Sequence, residues 1–133
     1  MAVTVDWKND EHTILSYTLD GHWTWNELFL AAERGVALNQ DVRKDVVAVL
    51  DLRNSLGMPS GGVTQLTSLA EIPRPNTRLV IVVGGGPLTA SVVSIYNRIR
   101  FTSSTKVRWV ANMEEADITI SRFRLETPRK ILA

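Results

Sequence analysis

Residues 46–53 read Val-Val-Ala-Val-Leu-Asp-Leu-Arg, and residues 79–87 read Leu-Val-Ile-Val-Val-Gly-Gly-Gly-Pro. Each opens with an unbroken apolar run, rich in β-branched side chains and too short for a typical helix. No alternation reserves one side for water, so both runs read as central parallel strands covered on both faces. Asp51 ends the first and Gly84-Gly85-Gly86 the second. Parallel neighbours must be joined by crossovers, and the flanking sequence supplies them.

After Val46 to Leu50, a loop from Arg53 to Gly62 leads to a short helix carrying Val63, Leu66, Leu69 and Ala70, which Pro73 and Pro75 close off. After Leu79 to Val83, Pro87 suits the first turn of a helix whose buried side is predicted as Leu88, Val92, Ile95 and Ile99. Upstream, Thr24-Trp25-Asn26-Glu27 has the form of a capping box. Trp23 and Leu28 are placed as its hydrophobic staple, and Trp25, Leu28, Phe29, Ala32 and Val36 form the stripe behind it. Val3, Val5 and Trp7, then Leu15, Tyr17 and Leu19, alternate on either side of the turn Lys8-Asn9-Asp10-Glu11 and predict two half-buried strands. Lys106 to Val110 predicts a last strand, and Asn112 opens a last helix with the stripe Met113, Ala116, Ile120 and Phe123.

The order is β-β-α-β-α-β-α-β-α. It predicts an α/β fold: a single-layer mixed, mostly parallel five-stranded sheet with about four helices, its first strand antiparallel at an edge. With 133 residues there is room for one domain, placed at residues 1–125, followed by a short basic tail at 126–133 that includes Arg129 and Lys130. Hydrophobic residues at 44% and charged residues at 22% are ordinary globular usage and exclude disordered or collagen-like chains. No apolar run approaches the roughly 20 residues of a membrane helix, and Met1 to Lys8 lacks the form of a signal peptide. Cysteine is absent, which excludes disulfides and thiolate chemistry and fits a reducing compartment. A soluble cytoplasmic protein is the expectation.

Residues 1–70 hold five Lys or Arg against nine Asp or Glu, a balance of −4, while residues 71–133 hold ten against five, a balance of +5. The basic residues are scattered, as on a solvated face, and the tryptophans Trp23, Trp25 and Trp109 do not interleave with them as nucleic-acid platforms do. His12 and His22 are the only imidazoles, without metal-ligand spacing, and Gly-x-Ser-x-Gly is absent, so no metal, cofactor or catalytic residue is assigned. Gly84-Gly85-Gly86-Pro87 matches neither a dinucleotide fingerprint nor a Walker loop and reads as a tight turn. Asp51 stands at the carboxyl edge of a buried strand, where open α/β sheets place their ligands. In the loop beyond it, Ser60 is read first as the cap of the following helix, and otherwise as a site where an added phosphate would meet a positive helix end.

With Asp51-Leu52-Arg53 closing a buried strand and Met58-Pro59-Ser60-Gly61-Gly62-Val63 opening a helix, the chain resembles the STAS domain of sulfate transporters and anti-sigma factor antagonists. Gly21 to Trp25 (Gly-x-Trp-Thr-Trp) and Glu114 to Ala116 make it look like the stand-alone SpoIIAA-like bacterial proteins, over about residues 3 to 122. The resemblance implies a mixed sheet of order 1-3-2-4-5 and partner binding through the loop and helix after the third strand. In antagonist members that helix start reads Asp-Ser-Ser-Gly, and its second serine is phosphorylated. Here Pro59 stands for the acid and Gly61 for that serine, leaving Ser60 as the neighbouring candidate.

The expected function is therefore a non-enzymatic regulatory or scaffolding module. It binds a protein partner through residues 53 to 66, with Asp51, Arg53, Ser55, Met58, Ser60, Gly61 and Gly62 as the binding residues, and forms homodimers. Nucleic acid and membranes are not expected partners. The rival expectation is a carrier that encloses a small apolar ligand or lipid.

Overall fold

A computed structural model describes residues 2–72, 76–99 and 105–126. The alternating N-terminal segments form an antiparallel hairpin, β1 (Val3–Trp7) and β2 (Ile14–Leu19), in register Val3 opposite Leu19 and Trp7 opposite Leu15. Asn9 shapes the turn: its Oδ1 accepts from the Thr13 and Ile14 amides at 3.1 Å each. His12, at φ 55°, lies flat on Trp7 with ring centroids 4.6 Å apart.

Helix α1 (Trp25–Asn39) starts with the capping box its sequence announces: Thr24 Oγ1 accepts from the Glu27 amide, and Glu27 Oε1 accepts from the Thr24 amide. Strand β3 (Val46–Leu52) runs through Asp51 instead of ending there, since the Asp51 and Leu52 backbones still pair with Val83 and Gly84. Then follow α2 (Gly62–Ala70), β4 (Thr77–Gly84), α3 (Gly86–Ile99), β5 (Lys106–Val110) and α4 (Met113–Glu126). The stretches carrying Pro73 and Pro75 and the basic tail residues Arg129 and Lys130 lie outside the described residues.

Among the described residues these form a five-stranded sheet in the order β1-β2-β3-β4-β5, with β2 to β5 parallel. The order 1-3-2-4-5 implied by the resemblance is not the one adopted. β2 is hydrogen-bonded along one edge to β1 and along the other to β3, Ile14 facing Val47 and Thr18 facing Asp51, so nothing is inserted in the hairpin or beside it. Every crossover steps one place in the same direction, and crossovers of one hand then fall on one face. α1, α2 and α3 accordingly share a core with Leu15, Leu19, Ala48, Leu52 and Val82, through Leu28, Ala32, Leu69, Val93 and Tyr96. The last helix is under no such constraint. α4 covers the other face through Ala116 and Ile120, against Val47, Val49, Ile81 and Val83. Val49, Ile81 and Val83 are wholly inaccessible to solvent, as double coverage of β3 and β4 requires.

One buried face differs from the sequence expectation. α3 turns Thr89, Val92, Val93 and Tyr96 inward and leaves Leu88, Ile95 and Ile99 at 61%, 44% and 57% exposed. Two apolar stripes overlap on this helix, and the one through Val93 and Tyr96 packs into the core. Gly84, Gly85 and Gly86 all take positive φ, near +77°, a run that side chains disfavour. In that turn the Gly85 carbonyl accepts from Thr89 Oγ1 at 3.0 Å.

Candidate functional site

Strands β2 to β5 run parallel, so the loops that follow them gather at one edge of the sheet. The loop between β3 and α2, residues 53–61, is held there at several points. Gly21 donates its amide to the Asn54 carbonyl and accepts from the Leu56 amide, both at 2.9 Å, which adds one rung of pairing beyond the sheet. Ser55 Oγ accepts from Trp23 Nε1 at 2.8 Å and donates to the Gly57 carbonyl at 2.9 Å. Further along, the Ser60 carbonyl accepts from Trp25 Nε1 at 2.8 Å. The two indoles meet edge to face, centroids 4.8 Å apart. The Gly-x-Trp-Thr-Trp stretch therefore works as a double donor that clamps the loop onto the start of α1.

At the loop's origin Asp51 is 8% exposed and receives three hydrogen bonds from Arg53: backbone amide and Nε to Oδ1 at 3.0 Å each, and Nη2 to Oδ2 at 2.8 Å. The hydrogen-bonding guanidinium holds the Asp51 carboxyl below its ordinary value of 3.8 despite the opposing effect of burial, and Asp51 in turn raises Arg53. The pair leaves this corner close to neutral. Gly84 lies against it, and a Cβ there would come within 3.2 Å of the Arg53 backbone.

Since Asp51 binds protons more weakly folded than unfolded, its contribution to stability is complete above about pH 4 and is lost as the pH falls through the lower folded value. Asp51→Asn should therefore be less stable than the wild type at neutral pH, and the gap should close below about pH 4. Urea titrations across that range test this; a gap of constant size down to about pH 2 would mean that the fork contributes nothing.

Met58 is half-buried with its side chain toward Gly62, where a Cβ would approach Met58 Sδ at 2.9 Å and both Val92 methyls at 3.1 Å. Ser60 is exposed and does not cap α2. The cap residue is Gly61, at φ 85° with no side-chain bond to the helix start. A left-handed residue at that place draws the chain into the helix one position later than a Ser60 cap requires. The seven residues singled out in the sequence thus fall on one continuous surface segment, Asp51 as its buried anchor and Ser60 at its crest. What the sequence reading missed is the role of Trp23 and Trp25, which it assigned to packing alone. A buried indole needs a partner for its N–H, and that is the signal that points from them to a loop.

Behind the clamp, Leu19, Trp23, Trp25, Leu28, Leu50, Leu52, Met58, Leu66, Val82 and Val93 surround an apolar gap of about 10 Å³. That is the room of about one water molecule, against roughly 300–1,000 Å³ for a ligand site. Among the described residues no three His, Cys, Asp or Glu side chains converge as metal ligands, and no helix is long and apolar enough to cross a membrane.

This arrangement of sheet, helices and loop is a SpoIIAA-like fold. A crystal structure from Shewanella loihica PV-4, of an uncharacterized protein from the DUF3478 family described as having that fold, matches 86% of this chain and 89% of its own with a TM-score of 0.55 at 14% identity. At that identity the likeness is one of fold. No family model matches the chain, and no curated protein does.

Proposed function

We propose that this chain is a non-enzymatic binding module that docks a protein partner through the loop 53–61 and the start of α2. The observation that carries the reading is a loop fixed in shape yet open to solvent. Two indole N–H groups, the Gly21 rung and the Asp51–Arg53 fork hold it, while Leu56 stands 68% exposed on it. A segment ordered before binding avoids the entropy cost of ordering on contact, and a large apolar side chain presented on it has the character of an interface anchor. Its near-neutral corner suits apolar contact better than attraction of a highly charged ligand. Ser60 gives the surface a means of control. A phosphate there would stand beside the first turn of α2, whose amides no side chain caps, and would place two charges next to the anchor.

A photo-crosslinking residue at position 56, compared in native-host cells with the same residue at Leu38, 39% exposed on α1, tests the reading. Position 56 should capture a protein distinct from this chain, position 38 should not, and Ser60→Glu should lower the yield. Equal capture at both positions, or none, would overturn the assignment. So would a small molecule retained by the purified chain in native mass spectrometry, which would favour the carrier.

A further inference from the structure

Met58 brings a thioether to the inner side of the loop 53–61. Its side chain is half-buried and wedged between the loop and the first residue of α2. A Cβ on Gly62 would come within 2.9 Å of Sδ, and within 3.1 Å of the Val92 methyls beyond. Met58 is also one wall of the apolar gap behind the clamp, whose other walls are leucines, valines and the two indoles.

The side-chain donors around that gap are all engaged. Leucine and valine have none, Trp23 Nε1 is bonded to Ser55 Oγ, and Trp25 Nε1 is bonded to the Ser60 carbonyl. A thioether tolerates this, because its sulfur is only a weak acceptor. A sulfoxide does not. Its oxygen turns an apolar side chain into a polar one, and a gap of about 10 Å³ has room for that atom without a free side-chain donor to satisfy it. The oxygen is satisfied in place only by taking an indole N–H from Ser55 or Ser60, and otherwise only by swinging Met58 out to water. Either way the loop loses a fastening.

We propose that Met58 is a redox switch for the loop 53–61, thrown when a peroxide oxidises its thioether lying against Gly62 and the indole clamp. The sulfur lone pair attacks one peroxide oxygen. An S–O bond forms, the O–O bond breaks, the sulfur loses two electrons, and the proton of the transferred oxygen leaves with the departing hydroxide as water. The regulation rests on the reading of this loop as the docking segment, because a loosened loop must be ordered again on contact.

The test uses the full chain, which has no cysteine, so hydrogen peroxide meets no thiol. Mass spectrometry should place an added oxygen on Met58 of the folded protein, and the Leu56 amide should then exchange with solvent about 10-fold faster or more. Methionine sulfoxide reductase should restore the slow rate. Met58→Leu, which nearly conserves volume, should exchange slowly with or without peroxide, and Met58→Gln, which carries a polar oxygen, should exchange fast without it. The inference is overturned if Met58 of the folded chain stays unoxidised while Met113 reacts, or if the sulfoxide leaves exchange at Leu56 unchanged. An equal response to peroxide in Met58→Leu, or fast exchange that reduction does not reverse, overturns it too. The docking assignment is judged apart by the crosslinker at position 56. Capture that persists in the sulfoxide form overturns the switch, whereas no capture in either form strikes the docking assignment and leaves the faster exchange standing.

Discussion

Trp23→Ala is expected to lower the unfolding free energy by about 3–5 kcal/mol, the range for removing a large aromatic side chain from a core. Trp23 is 3% exposed and packs where β2, α1 and the loop after β3 meet. Its loss removes apolar contact on all three sides, the edge-to-face partner of Trp25, and the N–H that holds Ser55. For a domain whose total stability is about 5–15 kcal/mol, such a loss approaches unfolding at physiological temperature. Trp23→Phe separates packing from clamping. It keeps most of the ring volume and deletes the donor, so it should cost far less globally while the Leu56 amide, bonded to the Gly21 carbonyl, exchanges faster with solvent. Unchanged exchange at Leu56 in Trp23→Phe would show that the indole bond does not hold the loop.

Gly35→Ala carries the second large effect, and here the sign is the test. In an exposed helix interior the change stabilises by about 1 kcal/mol. Gly35 is buried at the crossing of α1 over β2, and a Cβ built there lands on the Tyr17 hydroxyl, 2.9 Å from Tyr17 Cζ and 3.2 Å from Leu15 Cδ2. Tyr17 is itself 3% exposed and has no open side to move into. Overpacking of this kind costs about 1–3 kcal/mol, so the net change should be a loss. Adding Tyr17→Phe removes the nearest atom, and the double variant should recover part of that loss in thermal unfolding. A Gly35→Ala protein more stable than the wild type would refute the predicted contact.

The elements were legible because their signals are local. Val46 to Leu50 and Leu79 to Val83 declare doubly covered strands by the absence of alternation, and Thr24 with Glu27 declares a helix start by a bond that spans three residues. The rotation of α3 was not legible. Leu88, Ile95 and Ile99 satisfy helical periodicity as well as Thr89, Val93 and Tyr96 do, and the choice is made by the core that Val93 and Tyr96 meet, which no local pattern encodes. Nor was the Asn39–Asn76 pair, two buried amides that bond reciprocally at 2.8 and 2.9 Å and tie the end of α1 to the entry of β4. Neither asparagine announces a partner 37 residues away. At the candidate site, the place of the loop after β3, at the edge where the loops following the parallel strands gather, was legible because it follows from topology alone. That Ser60 yields the cap to Gly61 follows from a backbone conformation, which composition does not encode.

Because the strands lie in chain order, distance along the sequence becomes distance across the molecule. Among the described residues, 2–72, which build β1 to β3 with α1 and α2, hold five Lys or Arg against ten Asp or Glu, a balance of −5; 76–99 and 105–126, which build β4, α3, β5 and α4, hold six against four, a balance of +2. The described part of the chain is thereby polarised in the plane of its sheet, with the β1 side the negative one. A charged partner meets it already turned, with a torque that acts over about a Debye length and fades as salt is added.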